Sequence, residues 1–121
     1  MALSNFDRRS TTGDSAPVAL RVVEDIVVPA GGYAVREDID DINGTTVQLH
    51  FIVPDLDAAD TVTLTIYDGD GNTIYVSAGL AESTRHAINV ERPFIGPLEV
   101  LIVCSGTQAA ARTFSLYIYY V

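Results

Sequence analysis

Residues 61–77 read TVTLTIYDGDGNTIYVS, two alternating runs on either side of a short acidic, glycine-rich break. Successive side chains of a strand point to opposite faces, so Val62, Leu64 and Ile66 share one face while Thr63, Thr65 and Tyr67 share the other. Asp68-Gly69-Asp70-Gly71-Asn72 offers the positive φ and the side-chain acceptors of a hairpin turn. Ile74 and Val76 are then expected to resume the apolar face. The pattern is that of a half-buried antiparallel β-hairpin.

The same alternation continues outward in both directions. Eight strands are expected, near residues 18–28, 33–39, 46–53, 61–68, 73–78, 84–91, 98–104 and 112–120, and no segment has a helical period. Between them lie residues suited to turns: Pro29 to Gly32, Asn43-Gly44, Pro54-Asp55, Asp68 to Asn72, Pro93 to Pro97, and Ser105-Gly106. Parity nominates an inward set that includes Leu20 and Val22, Val47, Leu49, Phe51 and Val53, Ile88 and Val90, Val100 and Ile102, and Phe114, Leu116 and Ile118. The fold class that follows is all-β, an antiparallel β-sandwich of about eight strands, jelly-roll-like; an immunoglobulin-like Greek-key sandwich is the alternative, because spacing does not reveal strand order. Residues 1–17 are polar, closed by Pro17, and are read as an extended N-terminal arm carrying Phe6, Arg8 and Arg9. Residues 18–121 are read as a single domain.

A chain of 121 residues, 48% of them hydrophobic, buries roughly two thirds of the surface its unfolded form exposes, enough for a core without a staple. Cys104 is the single cysteine, which excludes an intramolecular disulfide and fits a reducing compartment. No run approaches the ~18 apolar residues of a membrane span, and the N-terminus lacks the apolar stretch of a secretory signal. All seven basic residues are arginine, and against sixteen acidic residues they leave a net charge of −9. Nucleic acid and anionic membrane both demand a basic surface, so neither is expected as a partner.

Reaction chemistry is not signposted. Cys104 shares the parity of Val100 and Ile102, where a thiol packs as a small apolar group. His50 lies opposite Leu49 and Phe51 in parity, His86 opens a strand, and neither has a carboxylate at a catalytic spacing. No catalytic residue, cofactor or small-molecule substrate is expected, and the chain is read as a non-enzyme. If any metal binds, its ligands are Asp68, Asp70 and Asn72, which begin like a calcium loop. Thr73 and Gly79 then stand where such a loop needs glycine and glutamate, so the segment reads as a turn. Further oxygens could come from Asp55, Asp57 and Asp60, or from Glu37, Asp38, Asp40 and Asp41. Tyr67 and Tyr75, placed together on the outward face of the hairpin, are the candidate sugar platform.

The last strand, RTFSLYIYYV at 112–121, is apolar or aromatic on both faces. A strand with one buried side alternates more cleanly, so this one is either central under covering residues or pressed against another chain. The loop from Pro93 to Pro97 is also apolar for a turn. Candidate interface residues are therefore Phe94, Ile95, Tyr117, Tyr119 and Val121, with Phe6, Arg8 and Arg9 of the arm.

The hairpin TLTIYDGDGNTIYVS, the apolar loop and the tyrosine-rich terminal strand, within residues 18–121, resemble the small β-sandwich decoration or cement proteins on the heads of tailed bacteriophages. The resemblance implies a non-enzymatic structural protein of the virion that binds and stabilises the outer capsid surface, often through an extended terminus. It implies the major capsid protein and other copies of the chain as partners, and synthesis in the host cytoplasm. A carbohydrate-binding or adhesion module, calcium-linked or not, is the alternative.

Overall fold

The structure, a computed structural model, describes residues 20–121. The arm over residues 1–17, with Phe6, Arg8 and Arg9, and the first residues of the opening strand lie outside the described residues. Six strands follow in chain order: β1 (Leu20–Val28), β2 (Ala34–Val53), β3 (Thr61–Tyr67), β4 (Thr73–Ala81), β5 (Thr84–Cys104) and β6 (Arg112–Tyr120). All pairings are antiparallel and run in the order β1-β6-β2-β5-β3-β4. β2 and β5, of 20 and 21 residues, are far longer than the rest, because each bends and serves two layers.

The second half of β2 pairs with β6 on one side and the first half of β5 on the other, and β6 pairs with β1. The first half of β2 pairs with the second half of β5, which pairs with β3, which pairs with β4. Two antiparallel layers result, β1-β6-β2-β5 and β2-β5-β3-β4, and their inward side chains form one core. Taken as strand segments, the first pairs with the last, the second with the seventh, the third with the sixth and the fourth with the fifth. That is one long hairpin rolled into two sheets, the jelly-roll arrangement, in place of the immunoglobulin-like alternative.

The bends lie where the sequence suggested loops. Asn43-Gly44 and the run from Pro93 to Pro97 were expected to separate strands; both instead stay within the ladder, Asn43 opposite Ile95 and Gly44 opposite Phe94. Register shifts between Ile39 and Ile42 and between Thr46 and Gln48 supply the bulges that turn the ladder from one layer into the other. Gly44 is required by a close approach. Thr45 and Val121 exchange backbone hydrogen bonds at 2.9 and 3.0 Å, and a Cβ on Gly44 would collide with the Val121 carbonyl oxygen.

Val62, Leu64 and Ile66 are buried, as are Leu49, Phe51, Val53, Val90, Val100, Ile102, Phe114, Leu116 and Ile118. Ile88 is partly buried against the same core, and the side chains of Leu20, Val22 and Val47 lie outside the described part. Phe51 and Phe114 stack across the β2–β6 pair, with ring centroids 5.7 Å apart and 11° between planes. β4 departs from expectation. Its ladder slips between Ile66 and Tyr67, so Ile66 faces Tyr75 and Thr65 faces Val76. A one-residue slip exchanges the two faces of a strand: Tyr75 packs against the core, and Val76 turns outward, 52% exposed.

Candidate functional site

β6 runs between β1 and β2, so its outward residues Ser115, Tyr117 and Tyr119 sit in the middle of a sheet face. Tyr117 lies opposite Val23 on one side and His50 on the other. Its ring is stacked with that of Tyr119, centroids 6.5 Å apart at 19°, and Tyr119 meets the His50 ring edge-on at 5.2 Å. Arg85, reaching across from β5, places its guanidinium 5.0 Å from the centre of the Tyr117 ring. Around this aromatic centre Val23, Val27 and Val121 remain 41, 46 and 48% exposed. Asp25 is taken up by the Ser115 hydroxyl at 2.7 Å, and His50 is bonded to Gln48 and Arg85.

The other interface candidates fare differently. Phe94 is fully buried, because the expected apolar loop is a bend inside β5 that turns this ring into the core. The Ile95 side chain lies outside the described part. The candidate sugar platform does not form: Tyr75 faces inward, and Tyr67 on the outward face is covered by Arg36 at 5.1 Å. Cys104 is buried at the end of β5, where burial, and then the charge of Asp60, push its thiol pKa up. His86 bonds the Ala81 carbonyl at 2.9 Å.

The connections gather at the two ends of the sandwich. At one end, three loops are tied together around Gln108, a residue that no sequence pattern singled out. Its side chain is fully buried; Oε1 accepts the Asp57 amide at 2.9 Å, and Nε2 donates to Asp60 Oδ2 at 2.9 Å and to the Gly106 carbonyl at 3.0 Å. Asp57 in turn accepts from the Ala109 amide and from Arg112, both at 2.7 Å. The Ala109 bond, and then Arg112, hold the Asp57 carboxyl below the usual carboxylate range against a partial desolvation. The neighbouring Ala58 and Ala59 carry φ of 51° and 58°, a left-handed pair that this network holds in place.

At the opposite end, a groove of 970 Å³ is lined by Asp38, Ile39, Asp68 to Gly71, and Pro97 to Glu99. Two of its acids are already engaged. Asp68 accepts the amides of Asp70 and Asn72 at 2.9 and 2.8 Å and the Asn72 side chain at 3.3 Å, bonds that lower its pKa, the Asn72 amide most. Glu99 is paired with Arg36 at 2.6 Å. Asp68 thus works as the cap of its own turn, with Gly71 at φ +83° completing it. Asp57 and Asp60 are at the other end of the molecule. Among the described residues no group of three or more His, Cys, Asp or Glu side chains is arranged to hold a metal ion.

No protein-family model matches the chain, and no curated protein matches it in sequence. Solved structures match it in fold. A chain of the cyanophage Pam1 capsid asymmetric unit aligns over 100% of this chain and 99% of its own, at 19% identity and a TM-score of 0.55. The Yersinia pseudotuberculosis-derived mitogen aligns over 86% of this chain and 88% of its own, at 11% identity and a TM-score of 0.48. A protein of the Bacillus endospore appendages, which are disulfide-linked pili, aligns over 93% and 97%, at 16% identity and a TM-score of 0.46. At these identities the Pam1 likeness shows a shared fold.

Proposed function

We propose that this protein is a non-enzymatic structural component of a virion, a decoration or cement protein that binds the outer surface of a capsid. The observation that carries the reading is the outward face of the β1-β6-β2-β5 layer. Two stacked tyrosines, of the type that protein interfaces favour, lie on one sheet face with the exposed apolar Val23, Val27 and Val121 around them. The end-to-end likeness to a chain of a cyanophage capsid supports placing that face in a capsid setting. The partners are the major capsid protein, other copies of this chain, or both, and the site of action is the capsid surface after synthesis in the host cytoplasm. A molecule that binds the assembled shell alone stabilises it by mass action, by about 2.7 kcal/mol at a hundredfold excess over Kd.

The glycan alternative draws less support, since the expected platform is not formed, Tyr75 packing against the core and Tyr67 lying under Arg36, while Tyr117 is flanked by Arg85 and Tyr119. The test is co-sedimentation with capsids assembled from the major capsid protein of the same genome. Changing Tyr117 and Tyr119 together to serine, or deleting residues 1–15, leaves the domain folded by circular dichroism and lowers its occupancy on particles. Wild-type occupancy for both variants refutes the two contact surfaces and returns the adhesion reading to first place.

A further inference from the structure

Across the outward faces of β2 and β5 runs a chain of hydrogen bonds whose direction is forced. The Arg85 Nε–H can act solely as a donor, and it meets Nδ1 of His50 at 2.9 Å. The ring must accept there, so its single proton sits on Nε2, which donates to Gln48 Oε1 at 2.8 Å. Gln48 Nε2 then donates to Asn89 Oδ1 at 3.1 Å. Every partner in this series is used in one sense, and the series closes with His50 neutral.

We propose that His50 is a proton-operated latch on this face: neutral, it holds Arg85 folded over Tyr117; protonated, it lets Arg85 go. Adding a proton at Nδ1 turns the acceptor into a second donor, so an N–H faces an N–H and two cations stand side by side. Among the described residues no carboxylate is paired with the ring. The groups that face the ring are Arg85 from β5, Tyr117 and Tyr119 from β6, and Gln48 from β2 itself. On β1, Asp25 accepts from the Ser115 hydroxyl and stands two strands away from β2, with β6 between. Glu91 follows on β5 past the register shift at Thr46 and Gln48 and is exposed. Arginine stays charged across the accessible pH range, so the released side chain carries its charge away from the ring and bares one face of Tyr117. Acidification thereby changes the surface assigned above to attachment; that consequence rests on the attachment reading, whereas the latch rests on the geometry of the isolated domain.

The experiment uses the isotopically labelled full chain without particles. Nitrogen–proton spectra between pH 8 and pH 5 follow the His50 ring and the Arg85 Nε–H, the latter assigned by its loss in Arg85→Ala. The expected result is the Nε2–H tautomer at pH 8, with an Arg85 signal displaced from that of free arginine. On acidification that signal moves to the free position along the same midpoint as the His50 ring. His50→Leu shows the free position at every pH. An Nδ1–H tautomer at pH 8, or an Arg85 signal that stays displaced while His50 gains its proton, overturns the latch in the wild-type protein alone. Failure of the protein to bind capsids would leave this result untouched, so the two readings fail separately.

Discussion

Gln108→Leu isolates the loop network, since leucine nearly preserves volume while removing all three side-chain bonds. The backbone bonds of residue 108, to Gly31 and Gly32 at 2.7 and 2.9 Å, remain available. The Asp57 amide then loses its acceptor in a partly buried site, at about 1–3 kcal/mol, and the bonds to Asp60 and Gly106 contribute about 0.5–1.5 kcal/mol each, reduced where half-exposed Asp60 regains water. The expected loss is about 3 kcal/mol in urea unfolding with an unchanged m. At roughly 4 °C per kcal/mol for a domain of this size, Tm falls by about 12 °C. Gln108→Glu sharpens the test, because it keeps the length but cannot donate and sets a carboxylate against Asp60. It should be worse than leucine at pH 7, with the gap closing toward pH 4 as the like charges are neutralised. A leucine variant within about 0.5 kcal/mol of wild type, or a glutamate variant more stable than leucine at pH 7, would refute the claim that this side chain holds the loops.

Leu64→Ala, fully buried on the strand between β5 and β4, should cost about 2–5 kcal/mol in chemical unfolding, and a cost below about 0.5 kcal/mol would mean that the hairpin's inward face is misassigned. The Asp57 carboxyl is lowered in the folded state, so its contribution to stability is present above the ordinary carboxylate pKa of about 3.9 and is lost as pH falls through the lowered folded value. Asp57→Asn should therefore flatten the acid limb of stability against pH, and an unchanged limb would show that the Ala109 and Arg112 bonds do not select the charged form. Cys104, buried and with its thiol pKa raised, should react with a disulfide reagent at the rate of global unfolding; rapid labelling of the folded protein would contradict its placement.

Alternation made most of this fold legible. Within the described residues the eight expected strands match the eight segments of the two layers, because the segments alternate between an inward and an outward face, even in β6, which is apolar on both. Continuity was hidden: a strand that bends between layers uses the same glycines and prolines as a loop, so Asn43-Gly44 and Pro93 to Pro97 looked like ends. Phe94 was misjudged for that reason, and Tyr75 because a bulge inverts parity without leaving a signature in composition. The network around Gln108 was out of reach of local reading, since its partners Asp57 and Asp60 lie 51 and 48 residues away. The same holds for Arg85 and His50, 35 residues apart and joined by the β2–β5 register.

The sequence left two explanations for the aromatic outer face of β6, cover from within the chain or cover by another molecule, and the topology supplies the first in part. As the strand between β1 and β2, β6 has neighbours on both sides, so Val23, His50 and Arg85 surround the tyrosines and leave them half-buried. Among the described residues no layer packs over that side, because the second sheet covers the opposite face, where Phe114, Leu116 and Ile118 point. What the neighbours leave open is aromatic and β-branched surface held rigid by ring stacking and a directed hydrogen-bond chain. A preorganised patch of that kind loses little side-chain entropy on docking, and apolar surface of this composition gains most when a partner excludes water from it. Its polar members, Gln48, Asn89 and Ser115, already have partners within the sheet, so a docking surface laid over the tyrosines leaves none of these bonds unmade.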